Sequence, residues 1–479
     1  MTRLRPLLLW CILLIPGGSF AQGTGSPPAL PDTPVGRAVG LFVKALNTGS
    51  LAELERFHTD RGGHAENAQQ DLGFFQQSGG LNLQKVVKAS EFEIDVEAIM
   101  RKSGRAVVLH LAVDPAPPHE VAGLGVRPSG AQGSGGPRGA AGVEDDDMAP
   151  RPAGDVIVAA PAIVDQAVAA GFSGVVLIAK DGKPVLERAS GFAHRGLDVK
   201  NRIDTKFNLG SINKTFTKLA IAQLMEVGKL GWDDRLGKFL PDFPNADAAA
   251  KVTIGHLVEM RSGIGDFFGP EFEATAKNRI RTLSDYLPFF AKKPLAFEPG
   301  VGQAYSNGGY LTLGLIIEKV SGQTYYDYVR DHIFKPAGMT DTDSFELDGV
   351  TPNLAVGYSG KTRGEWVSNI YSLPARGSSA GGGYSTAPDL VKFAEALVAG
   401  RLAGAPYTSW YLGGPRPAPQ APASSSSGPM RGGLGVAGGS PGVNAVFELD
   451  AGQRLVIVVL ANDGPPAAEN LARKIRLGR

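Results

Sequence analysis

A serine followed three residues later by a lysine, Ser211-Ile212-Asn213-Lys214, occurs once in the chain. Behind it runs an apolar-periodic segment, Leu219 to Met225, that predicts a helix. With that helix starting at Ser211, positions i and i+3 share a face, and the Lys214 amine stands beside the Ser211 hydroxyl. A serine hydroxyl becomes a nucleophile when a neighbouring base takes its proton. A desolvated lysine can be that base, because burial lowers its pKa and leaves free amine. The helix N-terminus adds partial positive charge where an oxyanion would form. Alone, this spacing is common at solvated helix starts, so the rest of the chain decides its meaning.

A second cluster is Glu298-Pro299-Gly300 followed by Tyr305-Ser306-Asn307. A phenol beside a Ser/Lys pair can relay protons, and a nearby ammonium would favour its phenolate. An amide two residues on can hydrogen-bond a substrate amide and the lysine together. As a lone tripeptide, Tyr-x-Asn is more often a turn with a packed aromatic; after a Ser-x-x-Lys it is far more specific.

The elements that must hold these residues lie in a chain of 479 residues, enough for two or three domains. Hydrophobic content of 43% and charged content of 20% suit a globular protein. A net charge of +1 gives no reason to expect nucleic acid or an acidic membrane surface as a partner. Arg3 and Arg5, the apolar run Leu7 to Ile15 and Ser19-Phe20-Ala21 read as a cleaved signal peptide over residues 1–21. The apolar run is too short to span a bilayer, and no later run is long enough. Cys11, the single cysteine, lies inside it, so the mature chain would be an exported, periplasmic or secreted protein without disulfides.

Residues 34–128 predict a small α+β domain. Two helices fill Val35 to Phe57, broken at Asn47-Thr48-Gly49, and strands follow over Leu81 to Ala98, Ala106 to Val113 and His119 to Val126. This domain resembles nuclear-transport-factor-two-like folds. His58 and His64 carry no metal-ligand spacing and read as surface residues. Residues 129–154 are Gly/Ser/Pro/Ala-rich with an acidic run, a flexible linker. From 155 to 479 the pattern predicts an α/β sandwich. A helix covers Ile157 to Ala170, and a hairpin over Gly174 to Leu186 turns at Asp181-Gly182 and continues through Gly191-Phe192-Ala193. A helical middle precedes a second hairpin over Gly442 to Asn462 and a closing helix from Pro466 to Leu477. The histidines here, His194, His256 and His332, are scattered without ligand spacing, and His256 reads as structural.

With Ser211-x-x-Lys214 and Tyr305-Ser306-Asn307 in place, residues 157–475 resemble the serine β-lactamase-related and penicillin-binding-protein superfamily, in its class C and D-Ala-D-Ala carboxypeptidase/esterase branch. Asp204 to Thr215, His256 to Gly263, Ile333 to Thr342 and Ala380 to Asp389 carry the likeness in order. The resemblance implies an antiparallel sheet flanked by helices with a helical insertion, and an acyl-enzyme mechanism without cofactor or metal. Ser211 would be the nucleophile, Lys214 its proton acceptor, Tyr305 the relay to leaving group and water, and Asn307 a substrate ligand. Gly438 and Gly439 would line the substrate site, with the Ser211 and Gly439 N–H groups as oxyanion hole.

The third motif departs from the family pattern. Lys-Thr-Gly or His-x-Gly is expected there, but Gly435-Val436-Ala437-Gly438-Gly439 puts Val436 where the cation or imidazole would stand. Before it, Pro415 to Gly428 is low-complexity where a further strand is usual. The leading expectation is an exported serine hydrolase acting on an ester, an amide or a D-amino-acid peptide, with a small-molecule or cell-wall-derived peptide as its partner. Val436 favours an alternative, a catalytically impaired binding or sensing module. A third reading makes the N-terminal domain a ligand-binding cone tethered by the rest.

Overall fold

The structure is a computed structural model, and it describes residues 28–61, 67–102, 104, 106–114, 117, 119, 121–128, 152–359, 366–417 and 432–478. The signal segment, His64, linker residues 129–151, residues 418–428 of the low-complexity stretch and residues 429–431 after it lie outside the described residues. The chain divides into two compact units, with the division between residues 131 and 132.

In the first unit, helices α1 (Pro34–Leu46), α2 (Leu51–Thr59) and α3 (Asn67–Ser78) precede a four-stranded antiparallel meander. Its strands are β1 (Leu81–Ala89), β2 (Glu93–Met100), β3 (Ala106–Val113) and β4 (Val121–Pro128). Thr33 caps α1, its hydroxyl accepting the Gly36 N–H at 3.2 Å, with Pro34 at the first helical position. Val35, Val39, Phe42 and Leu46 recur at helical spacing and pack into this unit's core.

The helix break has a tertiary task. Asn47 exchanges two hydrogen bonds with the Leu81 backbone, at 2.9 and 2.8 Å, and so fastens the helices to the first strand. Sequence pattern read 81–98 as one strand. A turn at Ser90 divides it instead, with the Ser90 hydroxyl accepting the Glu93 N–H at 3.0 Å. Helix α3 was not anticipated, and its Gln-rich sequence carries little apolar period. His58 is no surface residue: it is 3% exposed and pairs with Asp71 at 2.7 Å. Among the described residues no group of side chains could hold a metal ion.

The second unit is built on a five-stranded antiparallel sheet. Helix α4 (Ala153–Ala169) comes first, starting inside the segment read as linker. Strands β5 (Gly174–Lys180) and β6 (Lys183–Ser190) follow. The sheet does not continue through Phe192. Strand β7 (Phe192–His194) leaves it to pair with β8 (Val199–Lys200). Strands β9 (Gly433–Ser440), β10 (Val443–Asp450) and β11 (Leu455–Ala461) complete the order β9-β10-β11-β5-β6.

The central strands are buried on both faces, and so their sequences read as unbroken apolar runs. Along β11, Val456, Val458 and Leu460 enter the main core, whereas Leu455, Ile457 and Val459 face the layer holding α4 and the C-terminal helix, Ala467–Leu477. The helices on the main-core side include α5 (Asn213–Glu226), α6 (Asn307–Ser321) and α7 (Ala387–Val398). Edge strand β6 is largely exposed and carries Lys183, Glu187 and Arg188, which discourages pairing with another strand. Among the described residues no helix is long and apolar enough to cross a membrane.

Candidate active site

Ser211 does not open an α-helix as the spacing suggested. It sits in a 3₁₀ turn, Gly210–Ile212, that leads directly into α5. The i,i+3 relation survives the change, and Lys214 Nζ lies 3.2 Å from Ser211 Oγ. The buried start of α5 is polar because a loop docks on it. Asn213 Nδ2 donates to the Ser378 carbonyl at 3.2 Å, and Thr217 Oγ1 donates to that of Ser379 at 2.7 Å. Lys214 Nζ donates to the Ala380 carbonyl at 2.5 Å.

The second cluster is delivered by the start of α6. Ser306, the middle residue of Tyr305-Ser306-Asn307, is the helix cap: its Oγ accepts the Gly309 N–H at 2.8 Å and donates to the Ile264 carbonyl at 2.5 Å. This one hydroxyl fixes the residues on either side of it. Tyr305 Oη reaches Ser211 Oγ at 2.5 Å, and Asn307 Oδ1 accepts from Lys214 Nζ at 2.7 Å.

Electrostatics favour a neutral amine. Lys214 is 7% exposed, and burial brings its pKa down to about 7, with Asp266 acting in the opposite sense. Near neutrality a large fraction is therefore free amine, able to accept the Ser211 proton. The phenolate expected at Tyr305 is corrected by the structure: burial pushes this phenol well above its ordinary range. A lysine half neutral at pH 7 offers little cationic help, so Tyr305 can act only as a neutral phenol, passing one proton on as it receives another.

Strand β9 lies against the serine turn. A Cβ at Gly438 would stand 2.0 Å from the Leu209 carbonyl oxygen and 2.6 Å from the Ser211 nitrogen. One at Gly210, whose φ is +49°, would stand 2.7 Å from the Gly439 nitrogen. Only glycines allow this approach. Counted from the two-residue Pro441-Gly442 turn, Gly439 opposite Asn444 is a non-hydrogen-bonded pair, so its N–H points off the sheet edge. Gly439 and Ser211 both line a cleft of about 420 Å³, while Gly438 packs behind them. Val436 does not reach the cleft; it packs against the main core.

The cleft wall is aromatic and apolar, formed by Phe267, Phe268, Phe272, Tyr286, Phe345 and Leu347 among others. Sequence reasoning missed this wall, and it missed two partners of Lys214. The Ala380 carbonyl belongs to Ala380-Gly381-Gly382-Gly383, whose residue types carry no sign of a backbone acceptor. Asp266 follows three residues after Gly263, and its acidity in an otherwise apolar segment, Ile264 to Phe268, was the available signal. His256 is structural as expected, closing a capping box with Thr253.

The Beta-lactamase family model matches residues 160–478, two thirds of the chain. The chain belongs to this family of serine hydrolases. Penicillin-binding protein 4* of Bacillus subtilis (strain 168) is 37% identical over 173 residues, 36% of this chain and 38% of that protein. Penicillin-binding protein 4 of Amycolatopsis lactamdurans is 32% identical over 213 residues, 44% of this chain and 55% of that protein. The chain thus spans about half or less of the length of these curated relatives. The crystal structure of a penicillin-binding protein from Bacillus halodurans superimposes with a TM-score of 0.57 at 32% identity, covering 66% of this chain and 99% of that one. D-amino acid amidase from Ochrobactrum anthropi SV3 shares the fold, with a TM-score of 0.56 at 23% identity over 68% of this chain and 98% of that one.

Proposed function

We propose that this protein is an exported serine hydrolase that forms an acyl-enzyme on Ser211 and acts on uncharged esters or amides with an apolar acyl group. The observation that carries the reading is the buried Lys214 amine, 3.2 Å from Ser211 Oγ and poised to lose its proton near neutrality. In this reading Lys214 accepts the serine proton, Tyr305 passes a proton to the leaving group, and Asn307 orients lysine and substrate. The N–H groups of Ser211 and Gly439 receive the oxyanion. The segment from Arg3 to Ala21 supports export. The helices-then-meander order of the first unit supports its likeness to nuclear-transport-factor-two-like folds.

The cleft supports the substrate class. Among the described residues that line it, the charged side chains are Glu273 and Lys277. The Lys277 ammonium is engaged by the carbonyls of Phe272, Glu273 and Thr275 at 2.5, 3.1 and 2.8 Å. With Val436 in the third motif, no cation among the described lining residues stands ready for a substrate carboxylate, and the aromatic wall favours apolar groups. Phe268 is 42% exposed and lines the cleft, so removing it costs the fold little. Phe268→Ala is expected to cut the preference for p-nitrophenyl hexanoate over the acetate about tenfold, read as a ratio of kcat/KM, at unchanged thermal stability.

The test of the acyl-enzyme is intact-mass spectrometry after incubation with p-nitrophenyl butyrate and, because relatives are named penicillin-binding proteins, with a fluorescent penicillin. An adduct that disappears in Ser211→Ala is the expected result. Folded protein that takes no acyl group from either donor would replace this reading with a binding module, for which Val436 speaks.

A further inference from the structure

Asn307 is held from both ends. Its Oδ1 accepts from Lys214 Nζ at 2.7 Å, and its Nδ2 donates to Asp266 Oδ2 at 2.7 Å. A side-chain amide can turn over, exchanging donor and acceptor ends. Turned over here, it would aim an oxygen at a carboxylate and lose that hydrogen bond, and it would aim an N–H group at the lysine, where it would occupy the amine lone pair that has to take the serine proton. In its ionised form Asp266 prevents this, because such a carboxylate only accepts. We propose that Asp266 is a positioning residue of the active site, whose carboxylate locks the Asn307 amide so that Lys214 always meets a carbonyl oxygen. The proposal rests on the reading of Lys214 as the proton acceptor for Ser211.

The surroundings of Asp266 suit that task. Its Oδ1 accepts the Phe268 N–H at 3.1 Å, and the Phe267 N–H also faces the carboxylate. Burial raises its pKa, while these donors, the Asn307 amide and the Lys214 charge favour the ionised form. Lys293 Nζ touches only the Asp266 backbone carbonyl, at 3.1 Å. Around Lys214 the remaining neighbours are Ser211 Oγ, the Ala380 carbonyl, and the Tyr305 and Tyr310 rings at 4.6 and 5.7 Å from Nζ. Asp266 is thus the sole carboxylate among these neighbours, and it has two effects on the lysine. Through Asn307 it supplies an aligned acceptor, and through space its charge keeps Lys214 from losing its proton at still lower pH.

Asp266→Asn preserves shape and removes charge. The expected result is a fall of about one unit in the Lys214 midpoint, followed by NMR in protein carrying ¹³C at the lysine side chains and assigned with Lys214→Ala. The acidic limb of acylation by p-nitrophenyl butyrate should move down with it. At pH 9, where Lys214 is neutral in every variant, Asp266→Asn should slow acylation at least fivefold in the native background. It should change nothing further in an Asn307→Ala background. An unmoved midpoint, or additive effects of the two substitutions, would overturn the proposal and leave Asp266 a fold residue. Asp266→Ser serves the same tests if the asparagine variant does not fold. The NMR titration needs no turnover, so a protein that acylates with neither donor yet shows the shifted lysine would sink the catalytic reading alone.

Discussion

Lys214→Met is expected to slow acylation of Ser211 about 10³-fold and to erase the acidic limb of its pH–rate profile. In the native protein the rate should fall tenfold per pH unit below about 7, where the amine becomes protonated and can no longer accept the serine proton. Methionine fills the same space without a proton to exchange, so the residual rate should lose that dependence. Stopped-flow release of p-nitrophenol from pH 5 to 9 measures both effects. A variant retaining the native midpoint would assign the titration to another group.

The same substitution has a thermodynamic signature with a definite sign. An unfolded lysine titrates near 10.4, whereas folded Lys214 titrates near 7. Between those values the unfolded chain holds one more proton at this site than the folded one. Stability therefore rises with pH over that window, by about 1.4 kcal/mol per unit from this group. Below pH 7 both states are protonated and the penalty is constant. Native minus Lys214→Met stability, from urea unfolding at pH 7, 8 and 9.5, should climb accordingly. A flat difference would mean that the lysine is charged in the folded state. Burying this amine destabilises the fold, as expected for a group held for chemistry rather than packing.

Gly438→Ala is the second large effect. Its methyl group would meet the Leu209 carbonyl oxygen and the Ser211 nitrogen inside contact distance, and both are backbone atoms that cannot swing aside. The strand must retreat from the serine turn, carrying the Gly439 N–H with it. Acylation is expected to fall about 10²–10³-fold, the usual effect of losing one oxyanion donor. Stability should fall by about 1–3 kcal/mol from overpacking. Gly435→Ala, on the same strand with open space beside its Cα, is the control that should leave both nearly unchanged. Equal effects at the two positions would mean that the close approach is not what matters.

Much of this molecule was legible in one dimension. The Ser-x-x-Lys spacing places two groups on one side of a turn whether that turn is 3₁₀ or α, because i and i+3 are neighbours in both. The doubly buried strands announced themselves as apolar runs, and Asp181-Gly182 marked its hairpin. The Val436 departure was also visible, since residue type at a motif position needs no coordinates. Local pattern did poorly where partners lie far away in sequence. His58 reads as polar surface until Asp71 is brought against it, and α3 has too few apolar residues for its period to show.

The sequence by itself determined which groups could do chemistry, Ser211, Lys214, Tyr305 and Asn307, and the family of folds that gathers them. Only the tertiary structure decided their protonation. Burial brings Lys214 down and pushes Tyr305 up, and desolvation is a property of everything packed around a side chain, not of the side chain or its neighbours in sequence. The same holds for Asp266, which becomes part of the site because the Ser306 cap of α6 docks the 264–265 loop and brings its carboxylate to Asn307.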